Sequence, residues 1–200
     1  MIATVQRHRR VAAALREFLD QGGTALAAPR LIAGTVARQE DSRRGGSRPG
    51  DPGGCHLAEW LEEPLSRPGG RPARAVWHCT IQPHPDDRCL SDQEWASVAA
   101  AIIHGTGLSR AGETGAVRWL AARHCTHIHV LATLARQDGG AVLPGSDFSP
   151  VRRACHAAED SYGLRSTRLT APGPVLRRRH PGGLACHAVP QPAPVREAPQ

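Results

Sequence analysis

Three histidines fall within six positions of the run Arg123-His124-Cys125-Thr126-His127-Ile128-His129, a spacing at which imidazoles can gather on one metal ion or one phosphate. Successive side chains of a β-strand alternate between faces. Read as a strand, 127–136 puts His127, His129, Leu131 and Thr133 on one face and Ile128, Val130, Ala132 and Leu134 on the other. The second face is wholly apolar and reads as core. The first carries two imidazoles rooted roughly 6–7 Å apart, near enough for both tips to reach one ion. His124, in the turn before the strand, supplies a third ligand. The ordinary alternative is a chance cluster on a sheet surface, in a chain with 11 histidines.

The elements around this run are legible to different degrees. Residues 116–122 form a strand that makes an antiparallel hairpin with 127–136, its loop carrying His124. Another strand, 75–81, places Trp77, Cys79 and Ile81 on one face and Val76, His78 and Thr80 on the other. Ser91-Asp92-Gln93-Glu94 is a capping box, followed by a helix with Trp95, Val98, Ala99 and Ile102 on one side and Gly105 or Gly107 at its end. Ser149 as cap and Pro150 as first residue start a further helix, with Val151, Ala154, Cys155, Ala158 and Tyr162 inward and Gly163 closing it. Arg152 and Arg153 in its first turn oppose the helix dipole, which suggests a bound partner as well as an ordinary solvated pair. Towards the N-terminus, 1–6 reads as a short strand and 9–20 as a helix through Val11, Leu15, Phe18 and Leu19, closed by Gly22-Gly23. Residues 24–38 are ambiguous, and a helix-like run at 57–61 ends near Pro64.

The 21 glycines and 17 prolines leave much of the chain as loop. Segment 39–56 has too little apolar surface to bury and reads as a flexible insertion; 66–73 reads as a linker and 170–200 as a disordered Pro/Arg-rich tail with Arg177-Arg178-Arg179 as a possible phosphate contact. The domain reading is therefore 1–38 as an N-terminal strand–helix part, 39–73 as insertion, 74–168 as core and 169–200 as tail. All 25 basic side chains are arginine, the formal charge is +7 and the pI about 9.9, which suits a polyanion, nucleic acid ahead of an anionic membrane. No secretory pattern and no apolar run of the roughly 18–20 residues needed to span a bilayer is present. The six cysteines form no Cys-x-x-Cys pair. A cytoplasmic protein with reduced thiols, and without a membrane partner, is expected.

Three stretches, in order, resemble one family. Val76-Trp77-His78-Cys79-Thr80 through Pro85-Asp86-Asp87-Arg88, Leu90-Ser91-Asp92 and Glu94-Trp95 is similar to the second conserved block of relaxases, the mobilisation nucleases of conjugative plasmids. His124, His127-Ile128-His129 and Ala132-Thr133-Leu134-Ala135-Arg136-Gln137-Asp138-Gly139 resemble their histidine block as found in actinomycete mobile elements, and Val151 to Leu164 resembles the helix that follows. The match covers about 75–165, and 1–38 more weakly. The resemblance implies an α+β fold of the HUH-endonuclease type, an antiparallel sheet with helices packed on it. It also implies that His124, His127 and His129 hold Mg²⁺ or Mn²⁺, although imidazole ligands also accommodate Zn²⁺. In such enzymes the metal polarises a phosphodiester of single-stranded DNA at a transfer origin, and a tyrosine near the N-terminus attacks it and stays on the 5′ end. Other mobilisation proteins would be partners. His78 would contact phosphate or substrate, and Arg123, Arg152 and Arg153 would contact DNA.

The chain departs from that pattern in three places. Where the nucleophile is expected, at the end of the first helix, it reads Glu17-Phe18-Leu19-Asp20, and its single tyrosine, Tyr162, falls on the apolar face of a helix. Two residues, Cys125-Thr126, separate His124 from His127 where the family usually has three, one of them acidic. The acidic and histidine residues expected after the first helix are replaced by Leu26-Ala27-Ala28-Pro29-Arg30. Metal-assisted nicking and strand transfer is thus the first expectation. The alternatives are a catalytically degenerate relaxase-like DNA-binding protein and an unrelated metal-binding hydrolase.

Overall fold

The computed structural model describes residues 1–19, 29–35, 52–67, 71–113, 115–142, 145 and 147–167, with only the backbone at 52–56. The expected insertion up to residue 51 and the expected tail lie outside the described residues.

The protein is α+β. A five-stranded antiparallel sheet has the order β1-β3-β5-β4-β2, built from β1 (Ile2–His8), β2 (Arg30–Gly34), β3 (Val76–Gln82), β4 (Val117–Arg123) and β5 (Ile128–Arg136). The N-terminal 38 residues contribute both edge strands, so they and the segment from 74 onward form one sheet. The ambiguous stretch 24–38 contains β2, which Gly34 brings close to β4: a Cβ there would lie 2.7 Å from the Trp119 carbonyl oxygen.

Alternation along the central strands feeds two cores. On one side Trp77, Cys79 and Ile81 of β3, Val117, Trp119 and Ala121 of β4, and Ile128, Val130, Ala132 and Leu134 of β5 pack beneath α3 (Asp92–Gly105) and α4 (Phe148–Tyr162). On the other, Val76, Leu120, Ala122, Leu131 and Ala135 meet Val11, Ala14, Leu15 and Phe18 of α1 (Val11–Leu19) and Leu61 of α2 (Pro52–Glu62). The histidine-bearing face of β5 is therefore a second core, not a solvated surface. Helix α2 starts inside the expected insertion, at Pro52, and a 3₁₀ turn at Glu63–Ser66 follows it.

The capping box of α3 forms as expected: the Ser91 side chain accepts from the Glu94 amide, and Glu94 accepts from the Ser91 amide at 2.7 Å. The residues that resemble the second relaxase block brace this corner. Arg88 forks onto Glu94 at 2.6 and 3.1 Å and donates to the Tyr162 carbonyl, while Asp87 accepts from the Arg165 amide. Arg88 holds the Glu94 carboxyl down at about 2. Helix α4 differs from expectation at its start: Asp147, not Ser149, is the N-cap, and its carboxylate accepts from Arg7 and from the Trp77 indole instead of capping. Gly163 closes the helix in the left-handed region at φ 64°. Cys79, Cys89, Cys125 and Cys155 form no disulfide. Among the described residues no helix is long and apolar enough to cross a membrane.

Replacing Ser91 with alanine leaves an amide at the start of α3 without its cap. Ser91→Ala is expected to cost about 1 kcal/mol, lowering Tm by about 3 °C in a calorimetric scan. An unchanged Tm would show that the cap is dispensable.

Candidate metal centre

Strand register assembles the site. His78 of β3 lies directly opposite Gln6 of β1 and Leu131 of β5, so His8 and His129 are its diagonal neighbours on the same face. Diagonal positions are within reach of aromatic side chains. The same step recurs from β5 to β4: Ala122 opposes His129, and His124 stands two residues beyond Ala122. A row His8–His78–His129–His124 thus crosses four strands, with ring centroids 5.5, 4.9 and 4.6 Å apart in turn. His127 joins from the far side of the hairpin turn. The His124 amide donates to the His127 carbonyl at 2.8 Å, and the two rings stack at 4.7 Å and 10°. The shortened spacer therefore sets His124 opposite His127 and does not remove it from the cluster.

Helix α1 closes the site. The Phe18 carbonyl accepts from His124 Nε2 at 3.0 Å, and the buried Phe18 ring stands edge-on to His129 at 6.2 Å. Glu17, one residue earlier, puts carboxylate oxygens 3.6 Å from His8 Nε2 and 3.9 Å from His78 Nδ1. The His127 Nδ1 atom lies 3.4 Å from the Thr126 hydroxyl, and His129 Nδ1 lies 2.8 Å from His78 Nε2. His124 Nε2, His127 Nδ1 and His129 Nδ1 thus each face a protein group, and each ring offers one ligand atom within 4.8 Å of the other two.

Burial keeps the imidazoles neutral. It pushes His78 down to about 4, with His8 and His124 adding to the effect. It pushes His127 to about 4, helped by His124, and His129 to about 2, helped by His78, His127 and His124. His78 is 1% exposed and His129 7%. Neutral imidazole is the form that ligates metal.

Among the described residues two groups could hold an ion: His124 with His127 and His129, and His8 with Glu17 and His78, the ligand atoms of each lying within 4.8 Å of one another. Three imidazoles without a carboxylate suit a transition ion such as Zn²⁺ better than Mg²⁺, which prefers oxygen.

The other expected site residues stand elsewhere. His78 is buried with both ring nitrogens facing histidines, so it does not present itself to a phosphate. Tyr162 packs on the α3–α4 core, on the opposite side of the sheet from the histidines. Arg123 points to that side too, where it and Arg30 pair with Asp92. Arg152 and Arg153 are exposed on α4, Arg152 lying 5.7 Å over the Phe148 ring. His8 and Glu17 escaped the sequence reading. The signal for His8 was a histidine at the end of a strand that pairs with β3, hidden within the basic run Arg7-His8-Arg9-Arg10.

No family model, curated protein or solved structure matches this chain.

In the unfolded chain these histidines titrate near the ordinary value of 6.5. Between pH 6.5 and about 4 the unfolded state then binds more protons than the folded one, so stability falls as pH falls through that window. Urea midpoints of the metal-free protein are expected to drop steadily from pH 6.5 to 4 and to change little from these groups above 6.5. A flat profile across the window would show that the cluster is not buried in neutral form.

Proposed function

We propose that this chain is a relaxase-like mobilisation protein that acts on single-stranded DNA at a transfer origin. In this reading His124, His127 and His129 hold a divalent cation for metal-assisted nicking and strand transfer of a phosphodiester, on an HUH-type sheet. One observation carries the proposal. The C-terminal turn of the first helix, where the resemblance places the attacking residue, lies against two of the three histidines, Phe18 meeting both His124 and His129.

A bound cation would withdraw charge from the phosphate oxygens and orient phosphorus for in-line attack by water or by a hydroxyl supplied by a partner, with the 3′ oxygen of the cleaved strand as leaving group. The protein's own part is to keep the imidazoles neutral and aimed. The sheet brings them together, α1 excludes water beside them through Phe18, and backbone and side-chain partners hold the non-ligating nitrogens. Zn²⁺ fits this donor set ahead of Mg²⁺ and Mn²⁺, which favour oxygen ligands. The arginine-rich composition supplies a counter-charge for the strand. Cytoplasmic action, with other mobilisation proteins as partners, accords with the same reading.

A second reading, binding without cleavage, is favoured by a specific observation: position 18 is phenylalanine, and Tyr162 lies across the sheet. The two separate on a denaturing gel, using 5′-labelled random-sequence single strands with Mn²⁺. The first reading expects Mn²⁺-dependent strand scission that disappears in His127→Ala/His129→Ala. Salt-sensitive binding without scission would establish the second. Neither binding nor scission would overturn both. A covalent adduct gained by Phe18→Tyr would show that only the phenol is missing.

A further inference from the structure

We propose that His78, steadied by His8, is a positioning residue that fixes His129 in the tautomer a cation requires. The inference rests on the three-histidine metal reading and deepens it.

A neutral imidazole carries its proton on one ring nitrogen and binds a cation through the other. His129 Nδ1 is 2.8 Å from His78 Nε2, which leaves Nε2 as the nitrogen His129 can offer to a cation shared with His124 and His127. For Nε2 to ligate, Nδ1 must hold the proton and donate it to His78 Nε2. His78 must then hold its own proton on Nδ1, which faces His8 Nε2 at 3.3 Å and a Glu17 carboxylate oxygen at 3.9 Å. Both donations run outward from the cation and end on His8 Nε2. The Glu17 carboxylate stands beside that end, 3.6 Å from His8 Nε2 and 3.9 Å from His78 Nδ1, and does not itself set the direction. A carboxylate commonly orients a ligand histidine directly. Here His78 passes the same constraint across the sheet, in a place where the hairpin turn offers no acid.

The same proton arithmetic bears on the outer group of His8, Glu17 and His78. A cation on His78 Nδ1 would leave the His78 proton on Nε2, facing His129 Nδ1. His129 would have to accept there, and its Nε2 would carry a proton and lose its lone pair. With the 2.8 Å bond intact the two groups cannot be filled together, so one ion binds per chain.

Titration calorimetry of the full chain with Mn²⁺ tests this. One ion per chain is expected, with binding weakened about 10- to 100-fold in His78→Phe. Binding should be largely restored in His78→Gln, whose amide oxygen can accept from His129. Long-range ¹H–¹⁵N spectra of the Zn²⁺-loaded wild type should show His129 protonated at Nδ1, a signature that a merely structural role for His78 does not require. Wild-type affinity in His78→Phe, a proton on His129 Nε2, or two ions bound together would overturn the proposal. If His78→Phe fails to fold, the tautomer measured in the wild type decides alone. Binding that His127→Ala/His129→Ala abolishes but His78 variants leave unchanged would overturn this proposal and spare the metal reading. No uptake of Mn²⁺ or Zn²⁺ by the wild type would end both.

Discussion

The pairing of β3 with β5 is the constraint on which the site depends. Side chains alternate along a strand, so a slip of one residue would carry His129 into the α3–α4 core and expel Ile128, Val130, Ala132 and Leu134 from it. Fully burying an Ile, Val or Leu side chain is worth about 1.5–3 kcal/mol, and three of these four are of that kind. The opposite face resists the slip as firmly, because Leu131 and Thr133 are buried there as well. Both cores thus enforce one register, and that register lines up His8, His78, His129 and His124. The histidine row is a by-product of hydrophobic alternation, precise to the residue.

Packing the imidazoles together at a sheet face has an electrostatic consequence. A proton on His78, His127 or His129 would be desolvated and would face neighbouring imidazoles, so these three stay neutral. Neutral imidazoles must then match donors to acceptors. His124 donates to the Phe18 carbonyl, which fixes its tautomer outright, since a carbonyl can only accept. One ligand atom each of His124, His127 and His129 lies within 4.8 Å of the others, an arrangement that a positive charge between them would favour. The cluster is therefore poised for a cation by the same burial that makes it costly to protonate.

What the sequence revealed and what it hid divide along local and long-range lines. The alternation of β3 and β5, the hairpin and the capping box at Ser91 were legible because each depends on neighbours in the chain. His8 was not, since its role depends on β1 pairing with a strand some 70 residues away. The short edge strand β2 was hidden in a stretch without periodicity; its place comes from pairing with β4 and from the close approach at Gly34. Asp147 was passed over in favour of Ser149 because the competing partners of its carboxylate, Arg7 and Trp77, come from distant strands. Arg123 was expected to contact DNA, yet alternation sends it to the face where Asp92 waits at the start of α3.

The two departures from the relaxase pattern near the histidines have different structural weight. The two-residue turn Cys125-Thr126 keeps His124 within reach, because it sets His124 across from His127. The turn carries no acid, and Phe18, Thr126 and His78 each face one of the three rings. Phenylalanine at position 18 is the deeper difference. Its carbonyl and its ring both support the histidines, so α1 serves here as part of the site's frame and brings no phenol to it. A cation and a phenolic nucleophile, which the resemblance couples, would thus depend on separable parts of this chain: the first on the three gathered imidazoles, the second on a group that position 18 does not supply.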